Sequence, residues 1–125
     1  MTTKDVIAHW HKGAKSALRI AALAQKVGEH ELALFHCHLA VEKALKAAIM
    51  ERTGKPHPKV HNLSRLAPLL GDEWTEDERE LFDALSAFAI AARYDDPAWA
   101  LRYATAANAT HWIERTTAFL ASHQP

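Results

Sequence analysis

The sequence predicts an all-α fold, an antiparallel bundle of four long helices plus one short helix. Only four glycines interrupt its 125 residues, and valine, isoleucine and threonine do not form the alternating runs that are typical of strands. Apolar residues instead recur three and four positions apart, which is typical of amphipathic helices. The length fits a single domain over residues 1–125, and a hydrophobic content of 49% argues against disorder.

The first two long helices are predicted from apolar spacing and from the residues at their ends. The first covers residues 3–27, where Thr3 can cap the start and Gly28 fits the end. The second covers residues 29–53, and Gly54 stops it because glycine adopts a left-handed turn easily. Together these two helices would account for the first half of the chain.

A loop and a short helical turn are predicted between the second and third long helices. Residues 55–61 contain two prolines, which cannot continue a helix. Asn62 can then cap a short helical turn. Thr75 and Glu78 have the spacing of a capping box, so the third long helix begins there.

The last long helix is predicted to begin after a sharp corner. The third helix ends near Arg93, and Asp96 followed by Pro97 is a good start signal because proline suits the first helical position. We expect one continuous helix from there. That helix carries Leu101, Ala104, Asn108, Trp112, Phe119 and Leu120.

The composition limits the classes of function. Fifteen basic and fifteen acidic residues cancel, which argues against broad nonspecific nucleic-acid binding but leaves room for a local basic patch. Nine histidines make any anion affinity sensitive to pH. The single cysteine, Cys37, cannot form an internal disulfide and is expected to be buried. Without a membrane-spanning run or a secretory signal, we expect a cytoplasmic protein.

Charged side chains on the second helix form the first candidate site. His36 and Lys43 are seven residues apart and share a face, whereas Glu42 and Lys46 are four apart in the order that favours an ion pair. This charged face of the second helix is either a solvated surface or a face that binds an anion. The second interpretation is favoured because only two acids occur between His36 and residue 52.

The corner after the third helix forms the second candidate site. Arg93 either pairs with a carboxylate such as Glu42 or offers its guanidinium to a phosphate. Tyr94 either covers a base or closes the end of the bundle. Asp96 has a structural role as the cap of the next helix. If this corner meets the charged face of the second helix, the two form a pocket for negative charge.

The remaining histidines do not predict a metal site, and no motif predicts a cofactor. Histidines two apart point to different sides of a helix and cannot chelate together. Such pairs are His9 with His11 and His36 with His38, while His57 and His61 lie in a loop without a cysteine partner. Glycine-rich phosphate loops and nucleophile motifs are absent from the sequence.

Three segments together resemble the HEPN domain family. Residues 35–47 read FHCHLAVEKALKA and resemble the second-helix signature of that family. Residues 60–63 read VHNL and resemble its Thr-His-Asp-Leu segment. Residues 92–96 read ARYDD and resemble its Ala-Arg-Tyr-Pro segment. Trp10 and the alanines of the first helix also fit, so the resemblance covers nearly the whole chain.

The resemblance implies a helical bundle that commonly forms dimers, with one of two kinds of function. Many HEPN domains are metal-independent ribonucleases, often toxins, with an arginine followed after four to six residues by a histidine. Others accompany small nucleotidyltransferases and are thought to bind nucleotide or help to bind substrate. This sequence departs from the ribonuclease pattern, because Ala98, Trp99 and Ala100 occupy the positions where the histidine would follow Arg93.

These observations lead to one main hypothesis and two alternatives. The main hypothesis is a non-catalytic, homodimeric protein that binds a nucleotide, a polyphosphate or RNA phosphate. Its partner would be a small nucleotidyltransferase in a toxin–antitoxin-like or related two-gene system. The expected ligand contacts are His36, Lys43, Lys46, His61, Arg93 and Tyr94. The first alternative is a ribonuclease that uses Arg93 with His61 or His111, and the second is an assembly partner with an Arg93–Glu42 clamp.

Overall fold

The computed structural model describes residues 1–123, and its regular elements are helices throughout that range. The last two residues of the predicted domain, 124 and 125, lie outside it. In chain order, the elements are α1 (Thr3–Lys26), α2 (His30–Thr53), α3 (Leu63–Leu66), a 3₁₀ turn (Ala67–Leu70), α4 (Glu76–Arg93), α5 (Pro97–Tyr103) and α6 (Ala106–Ser122). The prediction of an all-α bundle is confirmed.

Capping boxes begin two of the long helices. Helix α4 starts as predicted, with the Thr75 hydroxyl accepting from the Glu78 amide and the Glu78 carboxylate accepting from the Thr75 amide. Helix α1 starts with the same arrangement between Thr2 and Asp5. The cap of α1 is therefore Thr2 and not Thr3, because only the residue three before Asp5 can complete the reciprocal pair.

The corner between α4 and α5 follows the sequence prediction. Asp96 has extended backbone angles, and its carboxylate accepts hydrogen bonds from the amides of Ala98 at 3.0 Å and Trp99 at 3.3 Å. Pro97 is the first residue of α5. Asp95 has a φ of 51°, an uncommon conformation for a residue other than glycine, and it lets the chain turn sharply between the two helices.

The prediction of one continuous last helix is wrong, because the chain breaks between α5 and α6. Thr105 has extended backbone angles, and its hydroxyl accepts from the Asn108 amide at 3.2 Å. The Asn108 side chain in turn donates to the Tyr103 carbonyl at 3.0 Å. Threonine and asparagine side chains compete with helical backbone bonds in this way, and here they end one helix and start another without a glycine or proline.

Helix α2 lies at the centre of the bundle. Helices α1, α4 and α6 all pack against it, and it is buried along most of its length. Small residues of α1, among them Ala14, Ala17 and Ala21, are buried at this packing. Cys37 is buried as expected, and burial raises the pKa of its thiol to about 11. Within residues 1–123, no helix is both long and apolar enough to cross a membrane.

Candidate functional site

A buried ion pair on α2 lies at the base of the candidate site. Lys46 is only 2% exposed and Glu42 only 6%. The Lys46 ammonium donates to Oε2 of Glu42 at 2.8 Å, the pairing that their spacing predicts. The same ammonium lies 5.7 Å from the centre of the Trp10 ring on α1, which adds a cation–π contact. Lys46 is therefore engaged by its neighbours inside the protein.

His61 is anchored to the same carboxylate from the loop before α3. Its Nδ1 lies 2.9 Å from Oε2 of Glu42. A carboxylate only accepts hydrogen bonds, so Nδ1 carries the proton and the neutral ring has its lone pair on Nε2. The side chain of His61 is 64% exposed. Glu42 thus fixes the tautomer of a histidine that remains accessible at the surface.

His38 is the buried neighbour of this pair. Its Nε2 donates to the His61 carbonyl at 2.9 Å, and its Nδ1 lies 3.6 Å from Oε1 of Glu42 without a hydrogen-bond partner. Burial lowers the pKa of His38, and this effect outweighs the charge of Glu42 and the hydrogen bond to the His61 carbonyl, which act in the opposite direction; Arg93 adds a smaller lowering. His38 is accordingly neutral at neutral pH and holds the backbone of His61 in place.

Glu42 is ionised within this cluster. Burial by itself raises the pKa of a carboxyl group, but the hydrogen bonds from Lys46 and His61 outweigh it and hold the pKa of Glu42 below its usual value. One negative charge therefore faces one permanent positive charge in the interior. The charges of Glu42 and Lys46 cancel. A positive charge on His61 or on Arg93 therefore makes this part of the surface positive.

The positive charge of Arg93 has no acidic partner within the range that the structure describes. It is the exposed last residue of α4, and no hydrogen bond or ion pair reaches its guanidinium from residues 1–123. Its charge contributes to lowering the pKa of His38, so it acts on the cluster of His38 and His61 at least through its electric field. The alternative in which Arg93 clamps Glu42 is wrong, because the Glu42 oxygens face Lys46, His61 and His38.

Tyr94 also points away from the core. Its side chain belongs to the exposed apolar groups, with 76% of its surface accessible. It therefore does not close the end of the bundle, which was one of its two expected roles. That place is taken by Trp99 of α5, whose ring lies 5.8 Å from that of Phe88. Tyr94 and Arg93 together form an exposed aromatic and cationic pair.

Lys43 and His36 lie on a different side of α2. The side chain of Lys43 runs along α1, where a methyl group on Gly13 would come within 3.1 Å of its Cδ. His36 donates from Nδ1 to the Leu32 carbonyl at 2.8 Å. Lys43 is five residues from His38, which is about 140° around the helix. Lys43 therefore lies on the side of α2 that faces α1, and not beside His38.

Two further residues of the sequence prediction lie apart from the Arg93 corner. Lys46 is buried in its ion pair, so its ammonium has no exposed position from which to bind phosphate, and we leave it out of the proposed site. His111 lies on the exposed surface of α6 with its ring against Trp112. In the described part of the chain, no hydrogen bond or ion pair joins His111 to Arg93 or His61.

Two aromatic side chains near the buried ion pair, Trp10 and His57, were not predicted to lie there. His57 packs against Trp10 with ring centres 4.5 Å apart, and Trp10 in turn covers Lys46. Trp10 was noted only for its fit to the family. Arg52, which precedes His57 at a spacing similar to that of the ribonuclease motif, forms a two-pronged ion pair with Asp72 instead. The Arg52 guanidinium is therefore engaged by Asp72.

The chain belongs to the HEPN domain family, whose sequence model matches residues 7–123. The resemblance seen in its three motifs is thereby confirmed. Membership suggests a function related to nucleotides or RNA, and it is compatible with RNA binding and with dimerisation.

Among solved structures, the chain is similar to the crystal structure of TT1696 from Thermus thermophilus. The two are 27% identical and superpose with a TM-score of 0.80, and the match covers 92% of this chain and 93% of the other. A search of curated proteins gave no match.

Proposed function

We propose that this HEPN domain binds the phosphate of a nucleotide or of RNA at an anion site formed by Arg93, Tyr94 and His61. The observation that supports the proposal best is the unpaired guanidinium of Arg93, whose charge acts on His38, the residue that holds the backbone of His61. A guanidinium can form a two-pronged hydrogen bond to phosphate. The exposed ring of Tyr94 can stack on a base. His61 adds a donor to the phosphate when its ring is protonated.

The proposal includes a homodimer and a protein partner. Lys43 and His36 lie about 140–160° around α2 from His38, and a second subunit could bring them to the same ligand. The partner would be a small nucleotidyltransferase, as the resemblance to nucleotidyltransferase-associated HEPN domains suggests. A gene for such an enzyme next to the gene for this chain, and co-purification of the two proteins, would support this part of the proposal.

Replacing Arg93 with glutamine is expected to weaken phosphate binding about 10- to 100-fold, because a charge-assisted hydrogen bond contributes about 1.5–3 kcal/mol. Calorimetry with ATP, GTP and a short RNA oligonucleotide at low salt measures this loss. Arg65→Gln is the matched control, since Arg65 is also exposed and lies on α3. The thermal unfolding temperature should hardly change in either variant. Absence of saturable binding of all three ligands to the unaltered protein would refute the proposal.

The geometry of His61 favours one alternative, a metal-independent ribonuclease. With Nδ1–H directed at Glu42, Nε2 of His61 can accept the proton of an RNA 2′-hydroxyl group, while Arg93 stabilises the charge on the phosphate. If the alternative holds, the protein cleaves RNA in the presence of EDTA, and His61→Asn lowers the rate at least about 100-fold. Equal cleavage by His61→Asn, with loss in His111→Ala, would assign the base to His111 instead.

A further inference from the structure

The outer face of α1 carries a second concentration of positive charge that is separate from the Arg93 corner. Five basic residues of α1 are exposed, and we call them the basic stripe: Lys4, Lys12, Lys15, Arg19 and Lys26. The one acid of the helix is Asp5, whose carboxylate already accepts the Thr2 amide in the capping box. No ion pair in residues 1–123 involves a member of the stripe.

Helical geometry places these five side chains on one face. Successive members of the stripe are eight, three, four and seven residues apart. At about 100° per residue, these spacings keep all five side chains within a sector of about 80° around the helix axis. The opposite face of α1 carries buried alanines that pack against α2. From Lys4 to Lys26 the stripe extends about 33 Å along a single helix. It is thus a continuous row of positive charge that points away from the bundle.

The acidic residues of the protein are concentrated elsewhere. Seven of the fifteen acids fall between residues 72 and 83, where the single basic residue is Arg79. This acidic segment leads into and forms the first half of α4, whereas α1 packs against α2 and α6. The net charge is therefore zero although one side of the molecule is basic and another is acidic. A polyanion would be attracted to the α1 side and repelled from the start of α4.

Two observations favour a nucleic-acid strand as the occupant of the basic stripe. Solvated helix faces usually intersperse opposite charges at four-residue spacing, which this face lacks. A membrane surface would require apolar residues along the whole stripe. The large exposed apolar residues of α1, Ile20 and Leu23, and Val27 just after it accompany only its second half. Lys4, Lys12 and Lys15 have no such neighbours among them.

We propose that the basic stripe of α1 binds the sugar–phosphate backbone of RNA without regard to base sequence. The contacts are ion pairs and hydrogen bonds from lysine and arginine to successive phosphates, which position a strand but do not read its bases. The ligand of the protein is then a polymer that extends along α1, and not a mononucleotide alone. This binding surface does not depend on the Arg93 site.

The test measures the salt dependence of binding to a labelled 20-nucleotide single-stranded RNA by fluorescence anisotropy. Five phosphate contacts predict that the logarithm of the association constant falls with the logarithm of salt concentration with a slope of about −3.5. The triple variant Lys12→Gln, Lys15→Gln, Arg19→Gln should reduce that slope by about 2 units and weaken binding about 10-fold or more at low salt. Glutamine preserves the helix, and thermal unfolding checks that the variant is folded.

A matched control variant distinguishes the effect of the basic stripe on RNA binding from the effect of net charge. Lys55→Gln, Lys59→Gln, Arg65→Gln removes the same number of charges from exposed positions elsewhere, and it should bind RNA nearly as the unaltered protein does. Arg93→Gln should lose nucleotide binding but keep the salt slope to within about 1 unit, which distinguishes this inference from the proposed function. The same measurements with DNA of equal length show whether the sugar matters.

Three results would overturn the inference. The first is no binding of RNA at low salt by the unaltered protein. The second is an equal loss in the stripe variant and the control variant, because net charge and not the stripe would then govern binding. The third is stripe-dependent binding to vesicles that contain phosphatidylserine, together with no stripe-dependent binding to RNA. That third result would assign the stripe to an anionic lipid surface.

Discussion

Replacing Glu42 with glutamine is expected to destabilise the protein by about 3–5 kcal/mol, because it leaves the charge of a buried lysine without a counterion. Lys46 is 2% exposed and cannot reach solvent without disturbing the packing of α2. Glutamine would also weaken the anchor of His61. Urea unfolding, followed by the helical circular dichroism signal, measures the free energy of unfolding for the two proteins.

Two controls test whether the buried charge is the cause. In the double variant Glu42→Gln, Lys46→Met the buried charge is removed together with its partner, so most of the lost stability should return. Glu51→Gln removes a more exposed carboxylate that pairs with His11 at 3.0 Å, and it should change the stability by no more than about 1 kcal/mol. A loss below about 1 kcal/mol in Glu42→Gln would contradict the account of Lys46 as a buried cation.

The sign of the pH dependence provides an internal check. The pKa of Glu42 is lower in the folded protein than its usual value, so its stabilising contribution is present above the usual value and is lost as the pH falls through the folded pKa. The difference in unfolding free energy between the unaltered protein and Glu42→Gln should therefore be constant near neutral pH and shrink in acid. A difference that grows in acid would contradict the ion pair.

Replacing His61 with asparagine is expected to weaken phosphate binding about 10-fold, because asparagine carries no group at the position of Nε2. Glu42 holds Nδ1–H inward, so Nε2 is the atom that faces an anion at the surface. A hydrogen bond from the ring to the phosphate would be lost with that atom.

Calorimetric titration with ATP measures the effect. Asparagine keeps a donor for Glu42, so the substitution removes Nε2 while the contact to Glu42 is retained. His111→Asn is the matched control, since His111 is exposed on α6. An unchanged affinity in His61→Asn would exclude Nε2 of His61 from the phosphate site.

Local signals in the sequence identified most of the helices and the sharp corner at Asp96. The capping box of Thr75 and Glu78 and the Asp96–Pro97 start depend on residues within four positions of each other. The break at Thr105 was missed although its signal is local, because threonine is tolerated inside helices and its role as a cap depends on Asn108 and Tyr103. Among the site residues, Arg93 and His61 were identified by type and motif.

The sequence by itself therefore determined the class of fold, most of the helix starts and the family, because hydrogen bonds at helix ends and apolar periodicity involve near neighbours. Only the tertiary structure decided which charged side chains are exposed and unpaired, and so free to bind a ligand. Lys43 and Lys46 are three residues apart on one helix, yet Lys46 is buried under Trp10 and paired with Glu42 while Lys43 runs along α1. The physical reason is that burial and pairing depend on groups far apart in the chain, such as Trp10 and His61, which only the packing of the helices brings together.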